Sequence, residues 1–170
     1  MTMTVRERAA ACAHEAAHAV VAALHGARID TVALTPEHPE RFGRCTYDGE
    51  LTASAVAAVA LAGPVGEARL TYGKSPSVRE IRSVLDGQCA DDGSGDYDHL
   101  IASGGPLPLE VVNLIETCWP AVATVARRLN QHGSADHATV CAALGIPESN
   151  GHLSAQASAI RAGFLPTPTR

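Results

Sequence analysis

Apolar residues fall almost all around the first long helical stretch of the chain. Thr4 followed by Glu7 is the capping-box pattern that starts a helix, and Gly26 is of the type that ends one. Between them, Ala, Val and Leu occupy nearly every face at a period of 3.6 residues, which predicts a single helix over 5–25. A helix that is apolar on all sides is normally buried. We therefore expect this one at the centre of the domain.

Two short segments with strand character follow this helix. The stretches IDTVALT (29–35) and GRCTYDG (43–49) are rich in β-branched and aromatic residues, and the Pro-containing turn PEHPERF joins them. This arrangement predicts a small antiparallel β-hairpin.

The rest of the pattern is helical up to a polar tail. Gly63-Pro64 is expected to separate two helices and Pro120 to kink or break another, because proline lacks the amide hydrogen that a helix interior uses. From Pro147 onward, the Ser, Gly and Pro content predicts a tail over 147–170 that is flexible or folds only against a partner, after a single domain over 1–146. Helices are predicted at 52–62, 64–72, 77–85, 96–103, 109–130 and 135–144, the last two forming a C-terminal helical hairpin.

Composition narrows the class of protein. A chain of 170 residues with 46% hydrophobic content is long enough for one domain with a core. The net charge of −5, the scattered basic residues and the 4% aromatic content exclude the surface of a nucleic-acid binder. The start MTMTVRERAA lacks the apolar run of a signal peptide, and no window reaches the roughly 18 uninterrupted apolar residues of a membrane helix. We expect a cytoplasmic protein that uses no membrane.

The cysteines are expected to be reduced and structural. Their number is odd, their spacing is wide and no Cys-x-x-Cys pair occurs, so each is predicted to act as a small buried hydrophobe. They are Cys12, Cys45, Cys89, Cys118 and Cys141.

The candidate chemistry lies within the first helix, in the string His-Glu-Ala-Ala-His. His14 and His18 are four residues apart, so they lie on one helix face and can direct imidazole nitrogens at a single metal ion. Glu15 beside them can take a proton from a water on that metal. The pattern His-Glu-x-x-His arises by chance in about one chain in fifty of this composition. The alternative is a set of helix-surface residues that bind no metal, and it is disfavoured because burying these groups without a partner is costly.

Four other histidines are expected in solvent, namely His38, His132, His137 and His152. His25 shares the face of the motif but lies about 10 Å beyond His18 along the axis, so it is not expected to bind the same ion.

The order of segments resembles the start of the peptidase domain of FtsH-like (M41) metalloproteases. The stretch HEAAHAVVAALHGARIDTVALTPEHPERFGRCTYDG matches that family's zinc helix, strand, Pro-containing loop and second strand. LAGPVGEARL is similar to its Gly-Gly-Arg-Ala-Ala-Glu-Glu segment and GSGDYDHLIA to its Gly-Ala-x-x-Asp segment. The resemblance covers about residues 5–103. It implies an α+β, mainly helical, zincin-like domain built around the His-Glu-x-x-His helix, without the family's ATPase module and membrane anchor.

The resemblance also implies a third zinc ligand. Matched residue by residue, it is Asp96, and Glu67 is the glutamate that faces the zinc helix and can orient a histidine ring. Capping the following helix is the competing role for Asp96, and a surface salt bridge is the competing role for Glu67. The acidic loop holds rival ligands in Asp91, Asp92, Asp98 and His99.

Together these features predict a zinc-dependent, ATP-independent endopeptidase. His14, His18 and Asp96 would hold Zn²⁺, Glu15 would be the general base, and the substrate would be a short or unfolded polypeptide. If the second strand is a sheet edge beside the metal, an extended peptide could pair with it. The alternative is a catalytically inactive zinc-binding module that regulates or binds a partner protein. A homo-oligomer or a separate partner protein is compatible with either.

Overall fold

The structure is a computed structural model that describes residues 3–35, 43–86 and 95–164. Within these residues the chain is mainly helical with one small sheet, as the α+β prediction requires. The helices are α1 (Val5–Leu24), α2 (Ala53–Tyr72), α3 (Val78–Leu85), α4 (Asp96–Ala102), α5 (Glu110–His132), α6 (His137–Leu144) and α7 (Ala155–Arg161). The strands are β1 (Arg28–Leu34), β2 (Gly43–Asp48) and β3 (Ser134–Ala135), and Gly151–Leu153 form a 3-10 turn.

Helix α1 is the central element, as its apolar pattern predicts. The hydroxyl of Thr4 accepts a hydrogen bond from the Glu7 amide, and the Glu7 carboxylate accepts one from the Thr4 amide, so the capping box is present. Every residue from Ala11 to Leu24 is buried. Helices α2 and α5 and the sheet pack around α1, so its polar residues lie inside the core.

The predicted hairpin forms the larger part of a three-stranded antiparallel sheet. Its strand order is β2-β1-β3, so β2 is an outer strand among the described residues. Ile29 and Val32 of β1 point into the core. The sequence did not predict β3, because two residues are too few to show an alternating pattern. The turn that joins β1 to β2 lies outside the described residues.

Helix α2 corrects the prediction of two helices separated at Gly63-Pro64. It is continuous for 20 residues with Pro64 in its interior. Burial against α1 compensates for the missing amide: a methyl group at Gly66 would lie 2.6 Å from Cβ of Ala17, so the two helices approach very closely. Among the described helices, α2 is the one long and apolar enough to cross a membrane, but 67% of that window is buried within the fold, as in the core helix of a globular domain.

The C-terminal hairpin of α5 and α6 is present as predicted. Helix α5 continues through Pro120, so the expected break does not occur. The ring of Pro120 lies on the exposed side of the helix, and the buried side chains Ile115, Val122 and Leu129 hold the helix to the core on both sides of it.

The segment after Pro147 differs from the expected flexible tail over 151–161. Ala157 and Ile160 of α7 are fully buried, and the Arg161 guanidinium donates a 2.7 Å hydrogen bond to the carbonyl of Leu24 at the end of α1. The two apolar residues lie three apart on one face of a helix that Ser154 caps. The N-cap and the two apolar residues on one face are enough for α7 to pack on the domain, although the sequence around it is polar. Residues 165–170 lie outside the described range.

Candidate metal centre

The two motif histidines meet inside the core. His14 and His18 are one turn apart on α1, each 6% exposed, and their Nε2 atoms are 3.0 Å apart. The rings lie edge to face, with centroids 4.7 Å apart. The helix spacing therefore brings both Nε2 atoms to one point, as the sequence predicts.

Contacts to α2 determine which ring nitrogens carry hydrogen. Nδ1 of His18 lies 2.7 Å from the Val59 carbonyl, and Nδ1 of His14 lies 3.1 Å from Oε2 of Glu67. Both partners are acceptors, so each Nδ1 must be the donor. In the neutral rings each Nε2 then has a free lone pair. The arrangement is the one in which a metal-binding histidine has its ring orientation fixed from behind.

Asp96 supplies a third acceptor from a different element. It is the first residue of α4, and its Oδ2 lies 2.9 Å from Nε2 of His14 and 3.3 Å from Nε2 of His18. Gly95 is the N-cap of this helix, so Asp96 does not have the competing capping role. Leu100, one turn later on α4, is buried and anchors the helix against α2.

The described rivals of Asp96 point elsewhere. Asp98 accepts a 3.1 Å hydrogen bond from the Gly95 amide and closes the first turn of α4. The His99 side chain is exposed. Asp91 and Asp92 lie outside the described residues. In the part of the chain that the structure describes, His14, His18 and Asp96 form the one group of three side chains close enough to share an ion.

The donor set fits a divalent metal. Three acceptor atoms lie 2.9–3.3 Å apart with no hydrogen between them when the rings are neutral. Such a triangle requires a cation at its centre, either a proton or a metal. Tetrahedral zinc with bonds of about 2.0–2.1 Å places its ligands about 3.3 Å apart, which is close to the distances seen. Two imidazoles and one carboxylate are also ligands that zinc accepts in catalytic sites.

The electrostatics of the three groups also favour positive charge between them. Burial alone would lower the pKa of His14, but its hydrogen bonds to Asp96 and Glu67 outweigh this and the pKa is raised well above its ordinary value. The pKa of His18 is also raised, because the charge of Asp96 outweighs burial. Burial would raise the pKa of Asp96, but His18 and His14 together hold it far below its usual range.

Glu15 lies beside this group without belonging to it. The side chain is 8% exposed, and burial raises the pKa of its carboxyl group despite the opposing effect of His14 and His18. Among the described residues, none forms a hydrogen bond with the Glu15 carboxylate. It packs against the backbone of Gly43 at the start of β2, where a methyl group would lie 2.6 Å from Oε1.

One face of α2 completes the site, and sequence reasoning found only part of it. Val59, Gly63 and Glu67 are spaced by four residues and all face the histidines. A methyl group at Gly63 would lie 2.6 Å from Nε2 of His14 and even closer to Nε2 of His18. The glycine therefore leaves the space that the rings fill. In the sequence, the signal for this role was that Gly63 lies four residues before Glu67, on the same face of a helix.

The other histidines and cysteines that the structure describes take no part in this group. His132 is exposed as predicted, whereas His137 and His152 are half-buried, in contrast to the expectation. His137 hydrogen-bonds the main chain, and the ring of His152 covers Gly26. His38 and Cys89 lie outside the described residues. Cys12, Cys118 and Cys141 are buried free thiols as predicted, and Cys45 is half-buried on β2.

Comparison with other proteins adds no relative. No protein-family model matches the chain, and no curated protein matches it closely enough to indicate kinship. The family resemblance remains a prediction, and the geometry of the site is what bears on function.

Proposed function

We propose that this protein is a zinc-dependent peptidase, with His14, His18 and Asp96 as zinc ligands and Glu15 as general base. The observation that supports this most is the meeting of three acceptor atoms with a buried carboxylate directly beside them. A purely structural zinc site is usually closed by four protein ligands, whereas three ligands leave a position for water or substrate.

The residues of the site divide the chemistry between them. Zinc bound by the three ligands would supply Lewis-acid activation of a water molecule and of the peptide carbonyl. Glu15 accepts the proton of the attacking water and passes it to the nitrogen of the departing amine. Its raised pKa makes it a stronger base than an exposed glutamate. Glu67 and the Val59 carbonyl hold the two rings in the tautomer that leaves Nε2 free.

Among the described residues β2 is an outer strand, so its backbone offers a place for an extended substrate. The Leu34 amide donates to Gly133, so the main-chain groups of Leu34 face β3 and those of Ala33 face β2. Ala33 pairs with Arg44. Because the direction alternates along a strand, the amide and carbonyl groups of Gly43 and Cys45 point away from β1. A peptide added at this edge would lie beside Glu15.

This geometry supports short or unfolded polypeptides as the substrate class. Main-chain pairing needs an extended segment and reads side chains only weakly. A stably folded substrate would first have to supply its own local unfolding free energy. We therefore propose ATP-independent hydrolysis of flexible segments.

Zinc content and peptide hydrolysis, measured on the same preparations, test the proposal. The wild-type protein should bind one equivalent of zinc and cleave a mixed pool of unfolded peptides, and chelation should abolish the cleavage. Glu15→Gln should keep the zinc, because the ligands are untouched, and lose at least 100-fold in kcat, the lower end of what a general base contributes. Zinc without hydrolysis in the wild type would instead support the inactive zinc-binding module. A Glu15→Gln variant as active as wild type would remove Glu15 from the mechanism.

A further inference from the structure

We infer that Gly43 is a positioning residue for Glu15, because only a residue without a side chain at the start of β2 leaves room for the carboxylate. The inference rests on the proposed function, in which Glu15 is the general base. It adds the main chain of β2 at Gly43 as the group that limits where that base points.

The steric relation between the two residues is specific. A methyl group at Gly43 would lie 2.7 Å from Cδ and 2.6 Å from Oε1 of Glu15, and closer still to Cγ. The overlap thus includes the middle of the side chain as well as its mobile end. A small shift of the carboxylate cannot relieve it, so Glu15 would have to adopt another rotamer or β2 would have to move.

The strand is the less mobile partner. Gly43 pairs with Leu34, Arg44 with Ala33 and Cys45 with Val32, so the start of β2 is tied to β1, which lies between β2 and β3. Val32 is fully buried beneath this part of the sheet. Moving the strand would disturb the sheet, whereas turning Glu15 disturbs one side chain.

No special backbone conformation explains the glycine. The φ angle of Gly43 lies outside the left-handed region, unlike that of Gly49 or Gly73, so alanine could adopt the same backbone there. The effect of Gly43→Ala should therefore pass through Glu15 and not through backbone strain. Gly63 of α2 is the counterpart at the two histidines, where added bulk would meet their Nε2 atoms instead.

Gly43→Ala should separate base positioning from metal binding. We expect unchanged zinc stoichiometry and affinity, a kcat lowered at least 10-fold and a KM within about 3-fold of wild type, since general bases contribute about 10²–10⁴-fold to the rate. Gly105→Ala is the matched control, because a methyl group there meets nothing within 4 Å, and it should leave both constants unchanged. Gly63→Ala should lose the metal itself.

A double-variant cycle distinguishes positioning from general disruption. Alanine at position 15 ends at Cβ, so it lacks every atom of the overlap. In the Glu15→Ala background, adding Gly43→Ala should therefore change the residual kcat by less than about 3-fold. An equal loss in both backgrounds, or a loss of zinc in Gly43→Ala, would overturn the inference.

Crystal structures of wild type and Gly43→Ala decide the question even without activity. The Glu15 carboxylate should leave its wild-type place while His14, His18 and Asp96 superimpose. Glu15 unmoved beside Ala at position 43 would overturn the inference. If the wild-type protein hydrolyses no peptide, the proposed function fails, and this structural comparison still shows whether Gly43 sets the position of Glu15.

Discussion

Two helices each carry a pair of residues, four positions apart, whose types are common metal ligands. The first pair is His14 and His18 on α1, and the second is His137 and Cys141 on α6. The first pair has its nitrogens 3.0 Å apart, and the second has Nε2 of His137 3.4 Å from Sγ of Cys141. The pairs differ in what their histidines contact on the other side of the ring.

The group in contact with Nδ1 of each histidine decides whether its Nε2 is free to bind an ion. Nδ1 of His18 faces the Val59 carbonyl and must donate, which leaves Nε2 as a free acceptor. Nδ1 of His137 accepts a 3.2 Å hydrogen bond from the Ile29 amide, so Nε2 of the neutral ring carries the hydrogen and donates to the Glu148 carbonyl. Both nitrogens of His137 are thus used in holding the fold. Identical helix spacing gives a group that could hold a metal ion in one place and two hydrogen bonds that hold the fold in the other.

The largest effect should come from removing the third acceptor of the first pair. Asp96→Ala should weaken zinc binding more than about 100-fold, because loss of a partner behind a ligand already costs 10–100-fold. Asp98→Ala, the matched control, should leave zinc affinity unchanged and affect only the start of α4. Zinc titrations of both variants measure this.

His99→Ala belongs in the same experiment. Its side chain is exposed, so zinc affinity should stay at the wild-type value. Loss of the metal from His99→Ala with retention in Asp96→Ala would mean that the site has three histidines and that Asp96 is misassigned.

A smaller loss is expected on removing the group behind His14. Glu67→Ala should weaken zinc binding by about 10–100-fold, because the ring of His14 loses the acceptor that fixes its tautomer. Glu67→Gln keeps an oxygen acceptor at the same length and should recover most of the affinity. Competition with a chromophoric chelator measures both. Equal affinity of Glu67→Ala and wild type would show that packing alone orients the ring.

These differences mark how far the sequence predicts the site. The spacing of His14 and His18 and the apolar helix around them were sufficient to predict a buried pair. Asp96 came only from a resemblance, since no periodicity links it to α1. The role of the Val59 carbonyl was not predictable, because a main-chain group is the same in every residue. Gly63-Pro64 suggested a helix end, whereas close packing on α1 keeps α2 continuous and uses the glycine as space.

The pH dependence of stability should separate the metal-free from the zinc-loaded centre. In the metal-free protein the raised pKa values of His14 and His18 contribute stability that is complete below about pH 6.5 and is lost as pH rises through the folded values. Asp96, with its lowered pKa, contributes stability that is complete above about pH 4. This contribution is lost only in stronger acid. Tm of the metal-free protein should therefore fall from pH 6.5 to 9.

Zinc should reverse this trend, because it binds neutral imidazole and its affinity rises with pH. Tm measured at several pH values in chelator and in excess zinc checks the prediction. Metal-free His14→Gln, which lacks one of the titrating rings, should show a shallower fall than the metal-free wild type. Parallel curves for the metal-free and zinc-loaded wild type would argue against a shared cation site.

No change in zinc affinity is expected from the second pair, where His137→Ala should leave zinc binding intact and lower stability. The substitution leaves the Ile29 amide without its acceptor and frees the Glu148 carbonyl, which predicts a loss of about 1–3 kcal/mol in the free energy of unfolding. His137→Gln, whose side-chain oxygen can accept from that amide, should recover part of it. Urea denaturation and zinc titration of the same samples measure the two properties. A fall in zinc affinity as large as that of Glu67→Ala would show that the second pair and the metal centre are coupled through α1 and β1, and that the contrast between the two pairs is incomplete.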